Sequence, residues 1–175
     1  MRRRGAATPC EDWPVAVLLG HLLGLTVAFT ASASKSPAPA STPEPDGDLP
    51  ADWKPQLHER LDALVVTWRV PEAWEGETEA GGVTMPAEVM GVVALDELVL
   101  HGWDLARATG QPFDADPTAC RRRRRVARLP AGRCRRDVAR CRGRRRGEGS
   151  GSVARAEDHG GGHRPCFHFR TETDR

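Results

Sequence analysis

The sequence predicts an all-α fold, and three observations support this class. Three segments carry apolar residues at helical spacing, no segment shows the strict alternation of a half-buried strand, and no stretch repeats another. With 175 residues the chain is long enough to form one domain with its own core. We therefore expect a helical bundle up to about residue 119, followed by a tail of different composition.

The first two predicted helices are joined by a polar loop. Residues 15–29 form an apolar run after Pro14, and proline is tolerated at the start of a helix, so we predict a largely buried helix. Residues 31–50 are rich in Ser, Pro and Ala, which predicts a loop. A second helix is expected from about residue 53 to residue 69, where apolar side chains recur one turn apart until Pro71 ends the pattern.

A third helix is predicted from about Pro86 to Thr109. Gly110 and Pro112 follow it, and both residue types commonly mark the end of a helix. Residues 74–82, between the second and third helices, are acidic and turn-rich, and we interpret them as a connection. Helices that carry polar residues among apolar ones are typical of bundles, which often build metal sites from facing side chains.

Glu97 and His101 on the third helix have the clearest chemical meaning in the chain. Four residues are slightly more than one helical turn, so both side chains leave the same face of the helix. A carboxylate and an imidazole placed in this way can hold one divalent metal ion. The alternative is a simple ion pair on a half-exposed face, which contributes only about 0.2–0.5 kcal/mol to stability.

Two segments, residues 8–23 and 94–111, together resemble the DinB-like metal-binding superfamily of actinobacteria, which includes mycothiol-dependent maleylpyruvate isomerase. The first segment resembles the family pattern T-P-C-x-x-W followed by L-x-x-H, and the second resembles E-x-x-x-H-x-x-D. The matching residues are Thr8, Pro9, Cys10, Trp13, Leu18 and His21 in the first segment, and Glu97, His101 and Asp104 in the second. The resemblance covers residues 8 to about 119 and is stronger to uncharacterised members than to the isomerase, so we predict a domain over 8–119.

The resemblance implies a four-helix bundle that holds a divalent metal ion, usually zinc. By position the ligands would be His21, Glu97 and His101, and three protein ligands with an open fourth position are typical of catalytic zinc. In the isomerase-like mechanism the thiolate of mycothiol adds to a cis double bond, the bond rotates, and elimination gives the trans product. The expected partners are therefore a small thiol and a small-molecule substrate, and Asp104 could orient a ligand. Trp13, Trp68 and Trp103 are interpreted as core aromatics.

The start of the chain departs from the family pattern in two ways. Family members usually carry a full helix before the T-P-C element, whereas only residues 1–7 precede it here, so we expect an incomplete bundle with three helices of four. The family usually has Thr after the tryptophan, where it can cap the first helix. Pro14 occupies that position and offers no side-chain acceptor.

The tail, residues 120–175, differs in kind from the domain. Residues 1–119 hold 8 basic and 18 acidic residues, whereas the tail holds 18 arginines, no lysine and 6 acidic residues. So few of its residues are large and apolar that we predict a disordered segment. If the arginines at residues 121–125 are encoded by CGC codons, the next reading frame encodes a run of alanines. We therefore interpret the tail as the product of a frameshift, and sequencing of the gene would test this. A nucleic-acid-binding arm is the alternative, but an arm with arginine alone is unusual, and we expect no such partner.

The N-terminus imitates an export signal, because residues 2–4 are basic and small residues follow the apolar run. Glu11 and Asp12 interrupt that pattern, and the run is shorter than the ~20 residues that span a bilayer. We therefore expect a cytoplasmic protein with no membrane partner.

The predicted function of the chain is that of a metal-dependent isomerase or transferase with a thiol cofactor. The alternative is a non-catalytic remnant of such a bundle, or a basic interaction module.

Overall fold

A computed structural model describes residues 4–10, 13–37 and 46–119. Their main elements are three α-helices, namely α1 (Val15–Ala33), α2 (Trp53–Trp68) and α3 (Ala87–Thr109), together with a 3-10 helix (Pro71–Trp74) and an antiparallel hairpin of β1 (Glu77–Ala80) and β2 (Val83–Pro86). Residues 117–119 are also helical. The all-α prediction with three main helices is confirmed. The predicted tail lies outside the described residues, and the predicted domain limits remain a prediction.

Helix α1 is the central element, because it packs against both α2 and α3. It extends four residues beyond the predicted end at Phe29, so the first residues of the predicted loop are helical. Ser32, in this added turn, is buried and its hydroxyl lies 3.0 Å from that of Thr78 in β1. The main core cluster comprises Leu22, Leu25, Phe29, Leu64, Ala80, Met90 and Ala94.

The first turn of α1 is capped by backbone rather than by a side chain. Pro14 makes no side-chain cap, as its residue type predicts. The amide of Val15 instead donates to the carbonyl of Ala6 at 3.0 Å, and the amide of Ala16 donates to that of Arg4 at 2.9 Å. Residues 4–10 therefore fold back over the start of α1 and satisfy amides that would otherwise lack partners.

Helix α1 is long and apolar enough to cross a membrane when judged by length and composition alone. Half of it nevertheless lies buried inside the domain, and its side chains contribute to both core clusters. Because α1 packs against both α2 and α3, it is the shared packing partner of these helices in the domain.

The hairpin departs from the expectation that the described part of the chain contains no strand. Gly81 and Gly82 form a two-residue turn with φ of 56° and 77°, and this left-handed backbone is the kind that two-residue hairpins require. The flanking strands pair Ala80 with Val83 and Thr78 with Met85. They are only four residues long, so their alternation is too short to stand out in the sequence.

Two tryptophans pack closely on the N-terminal half of α3. The indole Nε1 of Trp74 donates to the carbonyl of Trp68 at 2.7 Å, and the two rings meet edge to face with centroids 4.9 Å apart. Gly91 is buried beneath them. A Cβ atom at that position would lie 2.5 Å from Cζ3 of Trp74 and 2.8 Å from Cζ3 of Trp68. The absence of a side chain at Gly91 is therefore what allows this close approach.

Candidate metal centre

Three potential metal ligands from two helices converge on one point. His21 lies on α1, while Glu97 and His101 lie one turn apart on α3. One ligand atom from each residue can be chosen so that all three lie within 4.8 Å of one another. The Oε2 atom of Glu97 is central, at 3.1 Å from Nε2 of His101 and 3.8 Å from Nε2 of His21. These three residues are hereafter the His–Glu–His cluster, and the structure brings together all three predicted ligand residues.

The His–Glu–His cluster is largely shielded from water. The side chain of His101 is 5% exposed, that of Glu97 13% and that of His21 16%. Shielding strengthens the electrostatic interaction of these groups with one another and with any bound cation. The simple surface ion pair considered for Glu97 and His101 therefore does not describe their surroundings.

Asp104 pairs with the His101 ring nitrogen that does not face Glu97. Its Oδ2 lies 3.2 Å from Nδ1 of His101, which leaves Nε2 directed toward Glu97. The Asp104 carboxylate is fully buried, and its Oδ1 atom has no hydrogen-bond partner among the described residues. A buried carboxylate with an unpaired oxygen is costly, so positive charge on the His101 side offsets it. That charge can be a second proton on His101 or a metal ion bound to it.

In the metal-free protein the positive charge is a proton. Burial alone would raise the pKa of Glu97, but hydrogen bonds and charge from His101 and His21 outweigh it and lower the pKa to about 2. Burial alone would lower the pKa of His101, but hydrogen bonds and negative charge from Asp104 and Glu97 raise it to about 9. His101 is therefore an imidazolium held between two carboxylates at neutral pH. A metal ion must displace the proton on its Nε2 atom.

Metal affinity is therefore expected to rise with pH. Below the pKa of about 9, each metal ion that binds releases one proton from His101. Release of the His101 proton alone should increase the apparent association constant about tenfold per pH unit between pH 7 and pH 8, and this increase should level off above about pH 9. Competition titrations with a chelator of known affinity at several pH values measure this slope. A constant affinity over that range would contradict the assigned protonation of His101.

Trp13 takes a position that its residue type alone did not reveal. Its ring meets that of His21 edge to face, with centroids 4.6 Å apart, and lies at 30° to that of His101 with centroids 6.2 Å apart. The sequence indicated only a core aromatic. The contact depends on how α1 packs against α3, so the spacing of Trp13, His21 and His101 along the chain does not encode it.

A family model described as the mycothiol maleylpyruvate isomerase N-terminal domain matches residues 4–106. The chain belongs to this family. The match contains the whole His–Glu–His cluster together with Trp13 and Asp104, so the predicted family resemblance is confirmed.

The chain is also similar to two proteins of Mycobacterium tuberculosis, the uncharacterized proteins Rv0738 and MT0763. Each is 30% identical over 136 residues, which cover 73% of this chain and 66% of the relative. The chain thus spans about two thirds of the length of these relatives. No solved structure matches the chain.

Proposed function

We propose that the chain binds a divalent metal ion, zinc, through His21, Glu97 and His101, and uses it in thiol-dependent isomerase or transferase chemistry. The observation that carries this proposal is the convergence of three ligand atoms within 4.8 Å. Membership of the mycothiol maleylpyruvate isomerase N-terminal domain family supports mycothiol as the thiol. For the isomerase reaction, the substrate class is then a small molecule with a cis double bond that accepts a thiolate.

The donor set fits zinc on chemical grounds. Two imidazole nitrogens and one carboxylate oxygen are common ligands of this borderline-soft cation, and three protein ligands leave one position open. The hydrogen bond between Asp104 and Nδ1 of His101 fixes the ring so that Nε2 faces the cluster. Such an outer carboxylate is the usual support of a metal-bound histidine.

The chain's own residues would prepare the site. When bound, zinc lowers the pKa of a thiol and so supplies a thiolate nucleophile at neutral pH. His101 releases its Nε2 proton to solvent to make the site available, while its Nδ1–H continues to donate to the Asp104 carboxylate. Glu97 is ionised throughout because its pKa is about 2. The low exposure of the His–Glu–His cluster limits competing water.

One observation favours a second function, that of a non-catalytic bundle. With a proton on His101, the imidazolium lies between Glu97 and Asp104 at 3.1 Å and 3.2 Å, so both of its ring nitrogens are paired without metal. Such a cluster would serve only to hold α3 in a fixed position. The two functions differ in metal uptake and in binding of a thiol.

Cobalt(II) in place of zinc separates these functions, because its absorption reports the ligands. We expect equimolar cobalt binding at pH 8, and a new near-ultraviolet sulfur-to-cobalt charge-transfer band when mycothiol is added. The S-methylated thiol is the matched control and should give no such band. Absence of cobalt binding would contradict the metal site. Cobalt binding without the sulfur band would contradict the thiol-dependent part of the proposal.

A cytoplasmic location follows from the same proposal. Removal of α1 as an export signal would remove His21 and a large part of the core. The expected result of fractionating cells that express the chain is therefore an uncleaved protein in the cytoplasm. An exported form cleaved after Ala33 would contradict it.

A further inference from the structure

Trp13 contacts both histidines of the His–Glu–His cluster, and these histidines come from different helices. The imidazole planes of His21 and His101 are nearly perpendicular, at 89°, with centroids 5.0 Å apart. The Trp13 ring lies beside both imidazoles, at an interplanar angle of 62° to that of His21 and 30° to that of His101. The Nε2 atoms of both rings face the Glu97 carboxylate, at 3.8 Å for His21 and 3.1 Å for His101.

The backbone around Trp13 is held by hydrogen bonds of its own. The Thr8 hydroxyl lies 2.7 Å from the Trp13 carbonyl, to which it donates, and the Trp13 amide donates to the Cys10 carbonyl at 2.9 Å. The Cys10 amide donates back to the Thr8 hydroxyl at 3.1 Å, and both Thr8 and Cys10 are buried. Pro14 then fixes the entry into α1. The backbone of Trp13 is therefore tied to Thr8 and Cys10 by hydrogen bonds.

We infer that Trp13 is a positioning residue that holds the imidazoles of His21 and His101 in the orientation required to share one metal ion. This inference rests on the proposed metal-binding function. Asp104 and Glu97 hold the two ring nitrogens of His101, and the Trp13 ring, inclined at 30° with its centroid 6.2 Å away, adds an aromatic neighbour that limits tilting of the imidazole. For His21, the edge contact with Trp13 limits rotation in the same way. Trp13 thus serves the site without supplying a ligand.

The test uses the full chain and two readouts, of which one needs no metal. In the metal-free protein, NMR spectra of the histidine rings should show shifted signals for His21 and His101, because both lie beside the Trp13 ring. Trp13→Ala should collapse these shifts toward those of the exposed His58. Trp13→Phe, which keeps an aromatic face, should retain most of them. Trp103→Ala is the matched control, since that indole stacks on Arg107 and should leave both histidines unchanged.

The second readout is cobalt binding. Trp13→Ala should weaken the apparent affinity about tenfold or more and broaden the visible absorption, whereas Trp13→Phe should recover most of the affinity. Unchanged imidazole signals together with unchanged cobalt affinity in Trp13→Ala would overturn the inference. If the unmodified chain bound no cobalt, the metal-binding function would fail, and the NMR comparison alone would still decide whether Trp13 orients the two rings. Should Trp13→Ala fail to fold, ring signals in Trp13→Leu decide the same point.

Discussion

Replacing His101 with alanine is expected to abolish metal binding at micromolar metal concentration. His101 supplies one of three ligand atoms and is the least exposed member of the His–Glu–His cluster. Loss of an outer-shell partner already weakens metal affinity by about 10–100-fold, so loss of a ligand should weaken it by at least about 100-fold. The measurement is the zinc content of the purified chain after exchange against a weak chelator.

The matched control is His58→Ala. His58 also lies four residues from a carboxylate, Asp62, but this pair is on the surface of α2, with side chains 84% and 72% exposed. Removing His58 should therefore leave the zinc content unchanged. Because His101→Ala leaves Asp104 buried without its partner, His21→Ala serves as a second variant with an intact Asp104 environment. Equal zinc in the unmodified chain, His101→Ala and His21→Ala would rule out the cluster as the metal site.

Gly91→Ala is expected to destabilise the fold by about 2 kcal/mol, although alanine favours a helix by about 1 kcal/mol over glycine. The new Cβ would lie 2.5 Å from Cζ3 of Trp74 and 2.8 Å from Cζ3 of Trp68. Neither ring can withdraw easily, because the indole of Trp74 is tied to the carbonyl of Trp68 by a 2.7 Å hydrogen bond. Overpacking against such a fixed pair should outweigh the gain in helix propensity.

Urea denaturation measures this effect as a lower midpoint at unchanged slope. Gly102→Ala is the comparison on the same helix. Its Cβ would lie 2.9 Å from Cε2 of Phe113, but that ring is 36% exposed and follows the end of α3, so it can move aside. We expect Gly102→Ala to change stability by less than about 1 kcal/mol. Equal stability of Gly91→Ala and the unmodified chain would show that the two tryptophans do not constrain Gly91.

Local pattern was sufficient to predict the helices and one side of the candidate site. Apolar spacing and the stop at Gly110 placed α3 within one residue of its observed bounds, and Gly110 does adopt the left-handed conformation that ends a helix. The spacing of Glu97 and His101 placed both on one face for the same reason. Spacing along the chain did not predict that His21 lies beside Glu97 and His101, because this contact depends on the packing of α1 against α3. Only the family resemblance predicted that His21 belongs to the same site.

Features that depend on contacts between segments far apart in the sequence, or on very short strands, could not be predicted. Pro14 lacks a side-chain cap, and nothing in the residue types shows that the carbonyls of Arg4 and Ala6 return to the start of α1. The hairpin was not predicted because its strands are only four residues long, which is too short for a clear alternation of apolar and polar residues. The Gly-Gly pair between the strands is nevertheless a known signal for a two-residue turn. Trp13 shows the same limit, since its residue type predicts burial but not which rings it touches.

The division of the His–Glu–His cluster between α1 and α3 has a consequence for the amount of protein in the cell. On the proposed ligand set, a bound ion ties α1 to α3, and unfolding must release the ion. Free metal at 100 times the dissociation constant would then add about 2.7 kcal/mol to the free energy of unfolding, which should appear as a melting temperature that falls with chelator. A domain of ordinary marginal stability would be degraded faster when metal is scarce, so its abundance would follow the metal supply.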